Sequence, residues 1–207
     1  MIKSDHHPLI YPLVKHYTSY ILKKNFQSIV QTGSYKSGSK PILIVANHVS
    51  WWDGFWILHF NNLILKKQMH FMMLERELMK YPFFAHSGGF SVDKGSRQVT
   101  QSIAYAMELL SDSKNSVLLF PQGRLESLYN DHFVFEKGVV RLAEKCWPNI
   151  DILFVANTID FLSNKKPTLY TRYEEYKPTS FSKISWETDY NLFYQNILSE
   201  IKVNRHQ

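Results

Sequence analysis

A histidine and an aspartate five positions apart are the side chains of this chain best suited to chemistry. His48 and Asp53 follow a short hydrophobic run. An ionised Asp53 can accept a hydrogen bond from one ring nitrogen of His48, which fixes the tautomer and leaves the other nitrogen free to remove a proton. The same pair can instead form a capping and turn network without chemistry, because aspartate is common in turns. The two residues alone leave both interpretations open.

The elements around this pair must bring its two side chains together. The run Pro41–Ala46 is short and rich in β-branched residues, which is typical of a buried strand with His48 at its C-terminal end. Ser50 is a good N-cap for a helix that starts at Trp51. Asp53 is then expected at the third helical position, where its charge meets the positive end of the helix dipole. On one continuous helix, five residues would place the two side chains about 140° apart, so a turn between them is required.

Two later segments favour the chemical interpretation. Gly88–Lys94 reads GGFSVDK and Phe120–Arg124 reads FPQGR. An NH-x4-D element followed by these two segments, in this order and at this spacing, resembles the glycerolipid acyltransferase family, which includes the bacterial 1-acylglycerol-3-phosphate acyltransferases (PlsC-like enzymes). The resemblance covers roughly residues 40–160. It is specific because the NH-x4-D element occurs together with the FP-x-G element.

The resemblance implies a fold and a reaction. The fold is a single α/β domain over residues 1–207, with a mixed central sheet flanked by helices and a motif-bearing core at about residues 40–160. The reaction is the transfer of a fatty acyl group from acyl-CoA or an acyl carrier protein to a hydroxyl of a glycerolipid or related lipid. His48 would take the hydroxyl proton and Asp53 would stabilise the resulting imidazolium. A thioester is already activated, so neither a nucleophilic serine or cysteine nor a cofactor is expected.

The second motif of the family ends in an arginine that helps to hold the phosphate of the acceptor. This position is Lys94 here, which keeps the charge but loses the bidentate fork of arginine. The resemblance therefore implies substrate contacts for Gly89 and Lys94, with a looser phosphate geometry. Arg97 could contribute to the same site, or could be a solvated arginine at a helix start.

The third motif departs further from the family. The usual acidic residue after Phe-Pro is Gln122 here, and the usual Gly-Thr-Arg becomes Gly123, Arg124 and Leu125. Gln122 can still hydrogen-bond an acceptor hydroxyl, Gly123 allows close backbone approach, and Arg124 can replace the displaced arginine. The segment could also be only a turn after a strand. We favour substrate binding by these residues, and Glu126 is a candidate for the missing carboxylate.

Other nucleophiles and metal ligands have weaker support. Ser50 lies close to His48 in sequence but outside any G-x-S-x-G elbow, so we interpret it as a cap. The single cysteine, Cys146, excludes an intrachain disulfide and a cysteine zinc cluster. Its surroundings indicate a packed helical thiol rather than a nucleophile. His48 and Asp53 have no third ligand at a recognisable spacing, and we expect no metal.

The charge of the chain favours anionic partners. The sequence has 24 basic and 18 acidic residues, a formal net charge of +6, and a pI near 9.2. A membrane surface, a phosphorylated lipid or a phosphate-bearing carrier would satisfy this charge. Nucleic acid is disfavoured because the lysines are scattered in pairs and no helix-turn-helix, zinc or RNP pattern occurs.

Membrane contact is expected to be peripheral, on the cytoplasmic face. The sequence has neither a signal-peptide pattern nor a continuous run of about 18 apolar residues. An amphipathic helical segment at about residues 8–32 can pack its apolar stripe on the core or lie in the membrane interface. The aromatic side chains near the first motif can likewise line an acyl channel or fill the core. The stripe comprises Leu13, Val14, Tyr17, Tyr20 and Ile21, and the aromatic group comprises Trp51, Trp52, Phe55 and Trp56.

The remaining sequence predicts alternating strands and helices, which indicates a sheet covered by helices. Strands are expected at Met69–Leu74, Gly89–Val92, Ser116–Phe120 and Ile150–Thr158, with strands and loops over Asn164–Lys183. Helices are expected at Arg97–Leu110 with Ser96 as cap, at Lys137–Cys146 and at Glu187–Lys202.

Two other functions remain open. One is a lipid-binding or membrane-adaptor protein that keeps the fold without catalysis, as the altered third motif would allow. The other is a lipid hydrolase in which His48 activates water.

Overall fold

A seven-stranded mixed sheet forms the centre of the protein in the computed structural model, which describes residues 1–36, 38–93 and 98–203. The strands are β1 (Ser28–Gly33), β2 (Ile42–Ala46), β3 (Gln68–Leu74), β4 (Gly89–Val92), β5 (Asn115–Leu119), β6 (Asp151–Asp160) and β7 (Thr168–Glu175). Their order in the sheet is β1-β7-β6-β2-β5-β3-β4. Neighbouring strands are parallel except for the antiparallel pair β6 and β7.

Six α-helices lie against this sheet in the described part of the chain. They are α1 (Ile10–Asn25), α2 (Asp53–Phe60), α3 (Glu75–Lys80), α4 (Gln98–Leu109), α5 (Lys137–Cys146) and α6 (Lys183–Val203). A π-helical turn, Asn61–Leu65, extends α2, and a short 3-10 turn, Pro82–Phe84, precedes β4.

The central strand β2 is buried on both faces, as expected for a parallel strand between two layers of helices. Leu43 and Val45 belong to a core that includes residues of α4, α5 and α6. Ile42 and Ile44 belong to a second core that includes residues of α1 and α2. The single α/β domain with a mixed sheet, predicted from the sequence, is confirmed.

The first and third motifs lie at the same edge of the sheet. β2, β5, β3 and β4 are adjacent and parallel, so the segments that follow them emerge at the same edge. His48 follows β2, and Gln122 follows the neighbouring strand β5. Gly89–Val92 of the second motif form β4 itself, three strands away from β2. Strand pairing therefore brings the first and third motifs side by side.

The predicted helical segment at residues 8–32 is wrong after Asn25. α1 ends at Asn25, and Ser28–Gly33 forms β1, which pairs in parallel with β7. The hydroxyls of Ser28 and Thr168 hydrogen-bond across this pair at 3.0 Å. These residues are 140 positions apart in the chain, and a local sequence pattern carries no information about such a distant partner.

Helix α1 has one apolar face on the core and another facing solvent. Ile21 and Leu22 are buried. Leu13, Tyr17 and Tyr20 are 66%, 55% and 61% exposed. The predicted stripe therefore divides between the two faces, and most of it points outward. Among the described residues, no helix has both the length and the apolar character needed to cross a membrane.

Candidate active site

The histidine and the aspartate of the first motif meet through the turn that the sequence required. Asp53 is the first residue of α2, and its carboxylate points back over the turn. Its Oδ2 atom accepts hydrogen bonds from Nδ1 of His48 at 2.7 Å, from the backbone N–H of Val49 at 2.7 Å and from that of Ser50 at 2.9 Å. One carboxylate oxygen thus fixes the turn and the imidazole together.

The environment of Asp53 is apolar enough to perturb its ionisation. The side chain is fully buried, and this burial raises the pKa of the Asp53 carboxyl. Hydrogen bonds from His48 and from the backbone of Ser50 and Val49 oppose that rise. Three donors on one oxygen, together with the positive end of α2, favour the carboxylate form that can stabilise an imidazolium.

The imidazole of His48 contacts Asp53 and Phe120 and is partly open to solvent. It stacks on Phe120, with 4.2 Å between ring centroids and 12° between planes. Donation from Nδ1 to Asp53 leaves a lone pair on Nε2, which has no hydrogen bond to any described residue. The side chain is 28% exposed. His48 is therefore arranged to accept a proton at Nε2 from a molecule that arrives from solvent.

The backbone of His48 is clamped by Gln122 from the neighbouring strand end. Oε1 of Gln122 accepts from the His48 N–H at 2.7 Å, and Nε2 donates to the His48 carbonyl at 3.4 Å. The Gln122 residue is only 3% exposed. Its amide is thus engaged inside the protein, so its observed contact is with the histidine backbone, whereas the sequence suggested an acceptor hydroxyl.

A buried amide pair fixes the chain just before the histidine. The side chain of Asn47 donates to the carbonyl of Asn157 at 2.9 Å, and the N–H of Asn157 donates to Oδ1 of Asn47 at 2.8 Å. Thr171 donates in turn to Oδ1 of Asn157 at 2.8 Å. Sequence reasoning missed Asn157 and Thr171. An asparagine within the otherwise hydrophobic run of β6 was the available signal.

The third motif forms a tight loop beside His48. Gly123 has a φ of +63°, in the left-handed region that glycine adopts without strain. Nε of Arg124 donates to Oε1 of Glu126 at 2.8 Å. Glu126 also accepts from the side chains of Asn130 at 3.2 Å and Gln122 at 3.4 Å. The guanidinium of Arg124 is therefore paired with the carboxylate of Glu126 within one loop.

The described part of the second motif lies on β4, three strands away from the strand that precedes His48. Gly89 is buried in β4, where an added Cβ would lie 2.7 Å from the carbonyl oxygen of Phe84 and 3.1 Å from the ring of Phe71. These close neighbours account for glycine at this position by packing. Lys94 and Arg97, predicted to contact the phosphate, and Ser96, predicted to cap a helix, lie outside the described residues.

The structure also places the two alternative nucleophiles, Ser50 and Cys146. The predicted helix start at Trp51 is wrong: α2 begins at Asp53, and the hydroxyl of Ser50 accepts from the N–H of Trp52 at 3.2 Å within the preceding turn. The carboxylate of Asp53 accepts from the N–H groups of Val49 and Ser50 in the same turn. Cys146 is the last residue of α5, and burial raises the pKa of its thiol, which disfavours the nucleophilic thiolate.

The aromatic group near the first motif separates into core and surface members. Trp56 is fully buried, whereas Trp51 is 66% exposed. Phe55 links the group to the next segment, with ring centroids 4.9 Å from Trp51 and 6.4 Å from Phe84. A chain of aromatic contacts therefore runs from the exposed Trp51 through the buried Phe55 to Phe84. Within residues 1–36, 38–93 and 98–203, no group of three or more histidine, cysteine or acidic side chains is placed to hold a metal ion.

Comparisons with known proteins give the family and the fold of the chain. A family model described as Acyltransferase matches residues 20–159. The chain is 26% identical over 171 residues to a 1-acyl-sn-glycerol-3-phosphate acyltransferase of Helicobacter pylori, covering 77% of this chain and 68% of that protein. Its fold is similar to the crystal structure of the 1-acyl-sn-glycerophosphate acyltransferase PlsC of Thermotoga maritima, with a TM-score of 0.64 and 18% identity over 93% of this chain and 79% of that one.

Proposed function

The chain belongs to the acyltransferase family, and we propose that it transfers a fatty acyl group from a thioester donor to the hydroxyl of a 1-acylglycerol 3-phosphate. The name of the Helicobacter pylori relative supports this acceptor class. The single observation that carries the proposal is the 2.7 Å hydrogen bond from Nδ1 of His48 to the buried Asp53. It leaves Nε2 available at the sheet edge that also holds the third motif.

The proposed mechanism uses His48 first as a base and then as an acid. Nε2 takes the proton of the acceptor hydroxyl while the hydroxyl oxygen attacks the thioester carbonyl carbon. Asp53 stabilises the imidazolium through Nδ1. The tetrahedral intermediate collapses by breaking the carbon–sulfur bond, and the sulfur leaves as a thiol after receiving the proton from His48. The products are an ester and the free thiol of acyl-CoA or the acyl carrier protein.

We assign the phosphate of the acceptor to the basic residues of the second and third motifs. Arg124 is 72% exposed at its side chain and lies two residues after Gln122, which hydrogen-bonds the His48 backbone. Lys94 is the second candidate, by resemblance to the family. A guanidinium suits a phosphate because it offers a planar set of donors.

We also propose that the protein works at the cytoplasmic face of a membrane without crossing it. The support is the outward row of Leu13, Tyr17 and Tyr20 on α1, together with the net charge of +6. Apolar and aromatic side chains on one helix face suit the interfacial region of a bilayer, and basic residues are attracted to anionic headgroups.

Product analysis tests the proposed function. Labelled acyl-CoA and labelled acyl carrier protein are each incubated with lysophosphatidate, lysophosphatidylcholine or a monoacylglycerol, and products are identified by mass spectrometry. We expect acylated lysophosphatidate and an equal amount of free thiol. Free fatty acid without acylated lipid would indicate a hydrolase, and lipid binding without thiol release would indicate an adaptor; either result would overturn the proposal.

A further inference from the structure

The third motif contains a carboxylate, although not at the position where the family has one. Gln122 replaces the family's acidic residue, and Glu126 lies four positions later. The Glu126 side chain is 8% exposed. It accepts hydrogen bonds from Nε of Arg124, from the amide of Asn130 and from the amide of Gln122. The Glu126 carboxylate is therefore held in place by three donors of the loop, unlike a solvated surface acid.

Glu126 is also tied to the candidate base. Its backbone N–H donates to the carbonyl of His48 at 2.9 Å, while the side chain of Gln122 accepts from the N–H of His48 at 2.7 Å. The two residues thus hold the peptide groups of His48 from one loop. Any group positioned by Glu126 has a fixed location relative to the imidazole.

Arg124 is the group that Glu126 positions. The ion pair is asymmetric, because the Arg124 side chain is 72% exposed and the Glu126 side chain is 8% exposed. Nε of Arg124 is engaged by Glu126, and the two terminal nitrogens of a guanidinium carry four further donors. An arginine held by its Nε can present its terminal nitrogens to an anion in one orientation.

The ionisation of Glu126 agrees with this role. Partial burial raises the pKa of the carboxyl, but the hydrogen bonds from Arg124, Asn130 and Gln122 outweigh burial and hold the pKa below its usual range. Glu126 is therefore charged throughout the neutral pH range, as the contact with Arg124 requires.

We propose that Glu126 is a positioning residue that supplies the carboxylate of the third motif and orients Arg124 toward the phosphate of the acceptor. This inference rests on the proposed function for the identity of the acceptor. Glu126 does not contact the reacting atoms, and its effect on substrate is transmitted through Arg124.

The test is the variant Glu126→Gln, which keeps the size of the side chain and removes its charge. We expect the KM for lysophosphatidate to rise about tenfold, the effect of misaligning one charge-assisted contact. The kcat should stay within about threefold of wild type, and the KM for the acyl donor should be unchanged. Glu144→Gln, the same substitution at an exposed position on α5, is the matched control and should resemble wild type.

Coupling to Arg124 separates positioning from a structural role. Because Glu126 acts through the arginine, Arg124→Gln combined with Glu126→Gln should raise the KM no further than Arg124→Gln alone. The KM for a monoacylglycerol, which has no phosphate, should not change in Glu126→Gln. An unchanged KM for lysophosphatidate, multiplicative effects in the double variant, or an equal loss with both acceptors would overturn the inference.

Equilibrium binding distinguishes failure of this inference from failure of the proposed function. Lysophosphatidate binding to wild type and to Glu126→Gln is measured without an acyl donor, so turnover is not required. A wild-type protein that binds lysophosphatidate about tenfold more tightly than the variant but transfers no acyl group would overturn the proposed function alone. Equal dissociation constants, or no binding by wild type, would overturn the positioning role.

Discussion

At the scale of single residues, the arrangement depends on one carboxylate oxygen. Oδ2 of Asp53 accepts from the imidazole and from two backbone N–H groups, so the turn and the tautomer of His48 are fixed by the same atom. The sequence predicted that His48 and Asp53 could meet, because both residue types and a turn between them were visible. It did not predict the clamp from Gln122, because that contact depends on the pairing of β2 with β5.

Replacing Asp53 by asparagine tests the orienting role. The amide would place its carbonyl oxygen where the three donors converge, but this oxygen is a weaker acceptor for Nδ1 of His48 and carries no charge to stabilise the imidazolium. We expect kcat to fall by about 10² to 10⁴, with a smaller effect on KM. The measurement is steady-state kinetics by thiol release.

Ser50→Ala is the control for this variant, since it keeps the backbone N–H that donates to Asp53. It should retain activity within about threefold of wild type, apart from a small cost of losing the hydroxyl contact to Trp52. A normal rate in Asp53→Asn would show that the aspartate only fixes the turn. Loss of all activity in Ser50→Ala would point to a covalent nucleophile instead.

At the scale of elements, the predictable parts were those with strong local signals. Strand β2 is a continuous hydrophobic run and β5 ends in one, and both β4 and α5 were predicted with both of their ends. β1 was missed because its residues alternate between exposed and partly buried positions and depend on the distant strand β7 for pairing. The start of α2 was misplaced because residues 50–52 form a turn, in which Ser50 accepts from Trp52 and Asp53 accepts from Val49 and Ser50.

The outward face of α1 gives a prediction for this element. Combining Leu13→Ser and Tyr17→Ser removes two exposed apolar side chains and should weaken binding to anionic phospholipid vesicles by about tenfold or more, because interfacial affinity scales with buried apolar area. Vesicle sedimentation measures the partition, and thermal unfolding should show little change in Tm because both side chains are exposed.

A matched pair on another helix provides the control. Ile184 and Leu192 are 75% and 57% exposed on α6, so Ile184→Ser combined with Leu192→Ser removes similar apolar area elsewhere. This control should bind vesicles as wild type does. Equal binding by wild type and the α1 variant would show that α1 is not the membrane-facing element.

At the scale of the whole molecule, residues near the N-terminus are joined to the sheet edge opposite β1. Ser4 hydrogen-bonds Nδ1 of His70 at 2.8 Å, and the rings of His6 and His70 lie 4.5 Å apart. His70 lies on β3, and the N–H of Ser91 on β4 donates to the carbonyl of Ile2 at 2.9 Å. Protonation of the histidines in these contacts should therefore change the free energy of unfolding.

The stability of the protein should therefore fall in mild acid. Burial, and then the neighbouring His6, lower the pKa of His70 from 6.5 to about 4. The folded state binds fewer protons than the unfolded state, so this contribution is complete above pH 6.5 and is lost as the pH falls from 6.5 toward 4. One pKa unit corresponds to about 1.4 kcal/mol, so the loss in the free energy of unfolding is at most about 3.5 kcal/mol.

Urea unfolding at several pH values measures this dependence. The slope of stability against pH between 6.5 and 4 should be shallower in His70→Asn than in wild type, whatever the absolute stability of the variant. His16→Asn, which removes an exposed histidine on α1, should keep the wild-type slope. Identical slopes in wild type and His70→Asn would show that His70 does not cause the pH dependence of stability.

The central claim is that His48 is the base of an acyl transfer reaction, and the rate of the His48→Ala variant tests it most directly. The His48 side chain is partly exposed, and Oδ2 of the buried Asp53 keeps its two backbone donors when the imidazole is removed, so the Tm should stay close to that of wild type and of the exposed-histidine control His132→Ala. Formation of acylated lysophosphatidate by His48→Ala should be at least about 10³-fold slower than by wild type. A folded His48→Ala protein that acylates lysophosphatidate within about tenfold of the wild-type rate would contradict the account.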